Sequence, residues 1–244
     1  EIHETSGGIT FSLDDKYIFY SKLDENHRAR KIYRHQIGNF DVNDELIFEE
    51  KSEAFTVSIG MSSDEKYYFI HTSDHNSSEQ YYFNSNEEKP QPKLIMKREK
   101  GILYSINSWN GKFYNHTNKN AEDFKIDISV SLENPDWKPF ITAKEEVLIG
   151  GLTFLNNWII RSETSNALDI KGSEYYTIFI RDIASKKIIT KEIHETSGSI
   201  TFSLDDKYIF YSKLDENHRA RKIYRHEIGN YQDKDLLIFE EKSE

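Results

Sequence analysis

The sequence predicts an all-β fold, a β-propeller of about five four-stranded blades, and three observations predict it. First, a polar turn between two apolar runs recurs along the 244 residues, as in SLDDKYIFY (12–20), SSDEKYYFI (62–70), NSWNGKFYNH (107–116) and FLNNWIIRS (154–162). Aligned on Lys16, Lys66, Lys112, Asn157 and Lys207, the recurrences lie 50, 46, 45 and 50 residues apart. Four short strands in a period of that length are the signature of a propeller blade. Second, residues 1–53 return as residues 192–244 with 46 of 53 positions identical. Third, no stretch holds a helical period long enough to compete with the strands.

The blades follow in order. The first, 1–53, has strands expected at about 8–13, 17–23, 29–36 and 45–50. Its YIFY run (17–20) is apolar at successive positions, as a strand covered on both faces would be. Asp14 and Asp15 reverse the chain by bonding their own backbone, and Asp205 and Asp206 do the same in the last repeat. The second blade, 54–100, has strands at about 55–61, 67–73, 78–84 and 93–97, with Asp64-Glu65 at its first turn. The third, 101–145, has strands at about 102–108, 112–118, 123–129 and 137–141 around an Asn110-Gly111 turn. The fourth, 146–191, has strands at about 147–154, 157–164, 175–182 and 186–191. The fifth, 192–244, nearly copies the first. The two repeats differ at Gly8/Ser199, Gln36/Glu227 and a cluster from Phe40/Tyr231 to Glu45/Leu236, which lies in an expected loop. Bare blade faces carry a large burial incentive. A single domain, a closed five-bladed monomer, is therefore expected, with a blade-exchanged dimer as the alternative.

Composition narrows the function. Hydrophobic content is only 36%, and 15 Phe, 15 Tyr and 3 Trp supply the missing core area. Mean hydropathy is -0.74, yet that aromatic load argues against disorder. The formal charge of -10 opposes binding to phosphate backbones, and the basic run HRARK (27–31) is too short to reverse that. No nucleic acid partner is expected. There is no cysteine, hence no disulfide framework and no thiol nucleophile. No apolar run approaches 18 residues and the start lacks a signal peptide pattern, so a soluble cytoplasmic chain off the membrane is expected. There is no glycine-rich phosphate loop, and no cofactor is expected.

Several residues invite chemistry. His71 and His75 flank Asp74, but a strand end and loop do not give the one-face spacing of a shared metal. Glu49, Glu50 and Glu53, with Glu240, Glu241 and Glu244, form an acidic set, though strand alternation splits neighbours such as Glu49 and Glu50. Asn76-Ser77-Ser78 and Asn115-His116-Thr117 match glycosylation sequons, which matter only in a secreted protein. Arg28, Arg30, Arg219 and Arg221 are expected to pair with local carboxylates. No catalytic, metal or cofactor-binding residue is assigned, and binding residues are left unknown.

Four stretches, DENHRARKIYRHQIGN (24–39), DELIFEEKSEAFTVSIG (44–60), HTSDHNSSEQYYF (71–83) and KREKGILYSINSWNGKFYNHTN (97–118), resemble the propeller of the prolyl oligopeptidase family of serine peptidases, in its oligopeptidase B (protease II) branch. The resemblance implies a seven-bladed parent propeller capping an α/β-hydrolase domain and limiting entry to short peptides, cleaved in that branch after basic residues. The order departs from the family. DIKGSEYYTIFIRDIASKKIITKEIHETSG (169–198) resembles an upstream half-blade, whereas residues up to about 168 resemble blades downstream of it. The join falls near Asn166–Lys171, making the fourth blade a hybrid and the chain a rearranged, truncated piece.

The family's chemistry needs a nucleophilic serine on a strand-to-helix elbow, usually Gly-x-Ser-x-Gly. None occurs; TSGGI (5–9), IGMSS (59–63) and KGSEYY (171–176) are the nearest fragments. A complete hydrolase of about 250 residues also has no room here. The leading expectation is a non-catalytic propeller scaffold. The alternatives are a module that binds short peptides or a separate hydrolase domain, and a fragment of an active oligopeptidase that cleaves after Arg or Lys.

Overall fold

The computed structural model describes residues 2–156, 158–165, 176–182, 185, 187–189 and 192–242. They form two compact units, 1–142 and 143–244. Among the described residues the only helical elements are two three-residue 3-10 turns, Asp41–Asn43 and Gln232–Lys234.

The first unit holds three antiparallel four-stranded sheets, each a meander in chain order. Sheet one is β1 (Thr5–Phe11), β2 (Tyr17–Leu23), β3 (Ala29–Gln36) and β4 (Glu45–Glu49). Sheet two is β5 (Thr56–Met61), β6 (Tyr67–Ser73), β7 (Ser78–Asn84) and β8 (Lys93–Met96). Sheet three is β9 (Tyr104–Trp109), β10 (Lys112–Thr117), β11 (Lys125–Ser129) and β12 (Lys138–Ile141). The turns are made as their residues dictate. Ser12 Oγ donates to Asp14 at 2.7 Å and accepts the Tyr17 N–H at 2.9 Å, closing the β1–β2 reversal. Asn110 and Gly111 take φ of 49° and 71°, the left-handed pair of a two-residue hairpin.

The apolar run on β6 shows why three sheets stack. Tyr68 and Ile70 enter the core shared with sheet one, beside Phe19, Ile32, Val57 and Phe83. Phe69, pointing the other way, enters the core with Tyr104, Ile106 and Phe113 of sheet three. Burial on both faces is what consecutive apolar residues required.

The second unit departs from expectation. In place of the two separate blades expected at 146–191 and 192–244, one seven-stranded sheet runs β13 (Val147–Phe154), β14 (Trp158–Ser165), β15 (Tyr176–Asp182), β16 (Ile193–Phe202), β17 (Tyr208–Leu214), β18 (Ala220–Glu227) and β19 (Leu236–Glu240). The strand expected at 186–191 lies partly outside the described residues; within it, Ile188 makes an isolated bridge to Arg181. The chain then stays beside β15, with Ile193 opposite Ile178 and Thr196 opposite Tyr176, and runs on into β17 pairing from Thr196 to Phe202. One ten-residue strand thus closes the fourth blade and opens the fifth. Thr196, fully buried, donates its hydroxyl to the Tyr176 carbonyl at 3.0 Å. The expected β14–β15 pairing is present from Trp158↔Asp182 to Glu163↔Thr177. The join near 166–171 lies outside the described residues.

Both repeats bury the face of Tyr20/Tyr211 and His35/His226, and the first also buries the opposite face. In the first, Phe19 is 3% and Ile32 0% exposed, whereas Ile9 and Phe11 on the opposite side are about half exposed. In the last, Ile209 and His226 are fully buried, Ile209 in one cluster with Ile160, Ile178 and Ile180, while Ile223 is 38% and Phe239 52% exposed.

Candidate functional site

The densest charged cluster in the first unit centres on Arg98, just past β8. Its Nη2 donates to Glu50 after β4, to Glu79 on β7 at 2.7 Å and to Thr72 on β6 at 3.2 Å. Its backbone N–H donates to the other Glu79 oxygen at 3.0 Å, and Tyr81 adds its hydroxyl at 2.9 Å. The guanidinium lies 3.8 Å from the Phe55 ring centroid. Burial raises the Glu79 carboxyl, but the Arg98 bonds more than reverse this and leave it below the usual range. For Arg98, burial pulls down and the two carboxylates push up more strongly. Both acids are buried and both are tied to the one guanidinium, so the cluster joins sheet one to sheet two rather than supplying an acid–base pair.

A second cluster occurs in both repeats. Asp44 accepts from Tyr20 Oη at 2.8 Å and lies 2.6 Å from His35 Nδ1; Asp235 holds Tyr211 at 2.8 Å and His226 at 2.7 Å in the same way. Burial, then the Asp contact, pushes the Tyr20 hydroxyl well above its ordinary value. The cluster pins the loop before the outer strand onto β2 and β3. Sequence reasoning missed it, although a signal exists. Within 40–45 the repeats share one residue, Asp44/Asp235, and it is the one that holds the Tyr and His.

The residues singled out in the sequence take structural roles. Asp74 accepts the Asn76 and Ser77 N–H groups at 2.8 and 2.7 Å, so it shapes a turn. His71 sits on β6, where burial lowers its pKa. No cluster of three His, Asp or Glu among the described residues is placed to hold a metal. Glu49 faces Lys31 at 3.6 Å while Glu50 turns inward to Arg98, so the neighbours are split as alternation required. Arg30 pairs with Asp24 at 2.7 Å, Arg221 with Asp215 at 3.7 Å, and Arg28 donates to the Glu53 carbonyl. Asp14, held by Ser12 and then Lys16, has its carboxyl lowered to about 2. Of the two sequons, Asn76 is in an exposed turn, but Asn115 is 4% exposed on β10 and closed to modification in the fold.

A hydroxyl, an imidazole and a carboxylate lie in a row in the second unit. Thr177 Oγ lies 3.2 Å from His194 Nδ1, and Glu192 lies 3.3 Å from His194 Nε2. The imidazole and carboxylate are each 55% exposed, and the hydroxyl stands within strand β15 rather than on a strand-to-helix elbow. A solvated trio of this kind lacks the fixed geometry that activates a nucleophile.

Comparison with known proteins agrees with the sheets. The family described as "Prolyl oligopeptidase, N-terminal beta-propeller domain" matches residues 2–170 and, separately, 166–244. The two matches overlap at 166–170, within the stretch where the order of resemblance breaks. Protease 2 of Moraxella lacunata is 34% identical over 120 residues, 49% of this chain and 17% of that protein. Dipeptidyl aminopeptidase BI of Pseudoxanthomonas mexicana is 25% identical over 165 residues, 66% of this chain and 23% of that protein. Oligopeptidase B from Trypanosoma brucei, with covalently bound antipain, superposes with a TM-score of 0.80 at 14% identity, covering 98% of this chain and 35% of that one. Oligopeptidase B from Leishmania major gives 0.76 at 17%, covering 98% and 34%. The chain thus spans roughly a fifth of these curated relatives' length, 17% and 23%.

Proposed function

We infer function from one premise: the chain belongs to the prolyl oligopeptidase family, as an N-terminal β-propeller domain. The function that fits it best is a non-catalytic propeller scaffold, descended from the gating domain of an oligopeptidase B-like serine peptidase and without peptidase activity of its own. In a whole enzyme such a domain would limit which peptides reach the serine. One observation carries the reading. The described hydroxyl and imidazole of the one such trio, Thr177 and His194, each stand second in a β-strand, and the imidazole is half exposed. Acyl transfer needs an activated hydroxyl beside preorganised oxyanion donors, and such a surface trio supplies neither.

The test is turnover of fluorogenic peptides with Arg or Lys before the scissile bond. The purified chain is expected to release no fluorophore above the buffer rate. Turnover that a serine-reactive phosphonate blocks, in a preparation free of contaminating peptidase, would overturn the reading and restore the active-fragment alternative.

A further inference from the structure

The near-identity of the two repeats makes one a guide to the other. In the first repeat, the face carrying Phe19, Ser21, Ile32 and Phe48 is covered by the sheet of residues 56–96. Ser21 Oγ donates to the Val57 carbonyl at 3.1 Å, and Thr10 Oγ donates to the Ile59 carbonyl at 3.0 Å. The Phe19 ring lies 4.7 Å from Tyr68, and Phe48 lies 4.6 Å from Tyr81. The last repeat presents the same face with the same residues, Phe210, Ser212, Ile223 and Phe239, and there Ile223 and Phe239 are exposed. A second observation points the same way. Where Glu45 pairs with Arg34 in the first repeat, the last has Leu236 opposite Arg225, 50% exposed on the edge strand. A surface meant for water gains little from that exchange, whereas a surface meant for a partner gains apolar area.

We propose that the 208–240 face is a second docking site for the 56–96 sheet, and that its occupant is that sheet from a second copy of the chain. The fit is already displayed within the molecule, since the 56–96 sheet seats itself on the same set of side chains. Each chain carries two such faces and one such sheet. In the resting chain the first repeat holds the sheet, because it is joined directly to it and enjoys an effective concentration on the order of millimolar. A second copy takes the sheet when that competitor is weakened. Two chains then exchange sheets reciprocally about a two-fold axis.

Ile32→Asp weakens the competitor in the full-length chain. The expected result is a particle of twice 28.8 kDa by light scattering. Peptides covering 223–236, which differ from 32–45 at the variable positions, should exchange amide hydrogens roughly tenfold more slowly than in the parent. The double variant Ile32→Asp/Ile223→Asp should stay at 28.8 kDa with the 56–96 amides exchanging faster than in the parent. Phe48→Ala gives a milder version of the same test should the aspartate unfold the first sheet. Two results would overturn the proposal. One is that both single variants stay at the mass of one chain with 223–236 exchanging as in the parent. The other is slowed exchange of 223–236 at the mass of one chain, which would mean that the chain uses its own sheet.

Discussion

Arg98 shows how a single side chain can decide a packing arrangement. Glu50 and Glu79 are 6% and 7% exposed, and both rely on one guanidinium. Removing a partner from a buried ion pair strands charge in a poorly solvated place. Arg98→Met is therefore expected to destabilise the chain by about 3 kcal/mol or more in urea titration. Glu241, the counterpart of Glu50 in the last repeat, is exposed. Its replacement by glutamine should stay within about 0.5 kcal/mol. Equal losses at both positions would mean that the Arg98 cluster contributes nothing specific.

At the scale of elements, the repeats form an internal control. Strands β2–β3 and β17–β18 have almost the same sequence, so their intrinsic exchange rates are alike and differences in protection report packing alone. Amides around Ile32 should exchange about tenfold more slowly than those around Ile223, read on peptides that include positions 36 or 40–45 and their counterparts. Equal protection would mean that cover by the 56–96 sheet does not stabilise the first repeat. Much of this arrangement was legible beforehand. Alternating residues on β6, the Asn110-Gly111 hairpin and the Asp14 turn each followed from local chemistry. Strand β16 did not, because its copy in the first repeat only opens a sheet. Whether a strand also closes the preceding sheet depends on what lies upstream, and 53 copied residues carry no information about that. Nor was the Arg98–Glu50 contact legible, since its members are 48 positions apart and only the stacking of two sheets brings them together.

For the whole molecule, acid should act in two steps. His71 has its pKa lowered from 6.5 by burial, so the unfolded chain binds its proton more readily. Its contribution is complete above about pH 6.5 and declines as pH falls below that. Glu79 is lowered too, after burial has raised it and Arg98 has overcome the rise. Its contribution is present above the unfolded value, near 4.5, and is lost as pH falls through the folded one. Urea midpoints should therefore decline below about pH 6.5 and decline again below about 4.5. A midpoint that rose between pH 6.5 and 5 would contradict the burial of His71. The long β16 strand has a mechanical consequence as well. Its first residues grip β15 on one edge and its last residues grip β17 on the other, overlapping at Thr196. That is the geometry of a carpenter's half-lap joint. Tension between the two halves of the sheet passes across one residue's width, so Thr196 is where a stretched second unit would be expected to part.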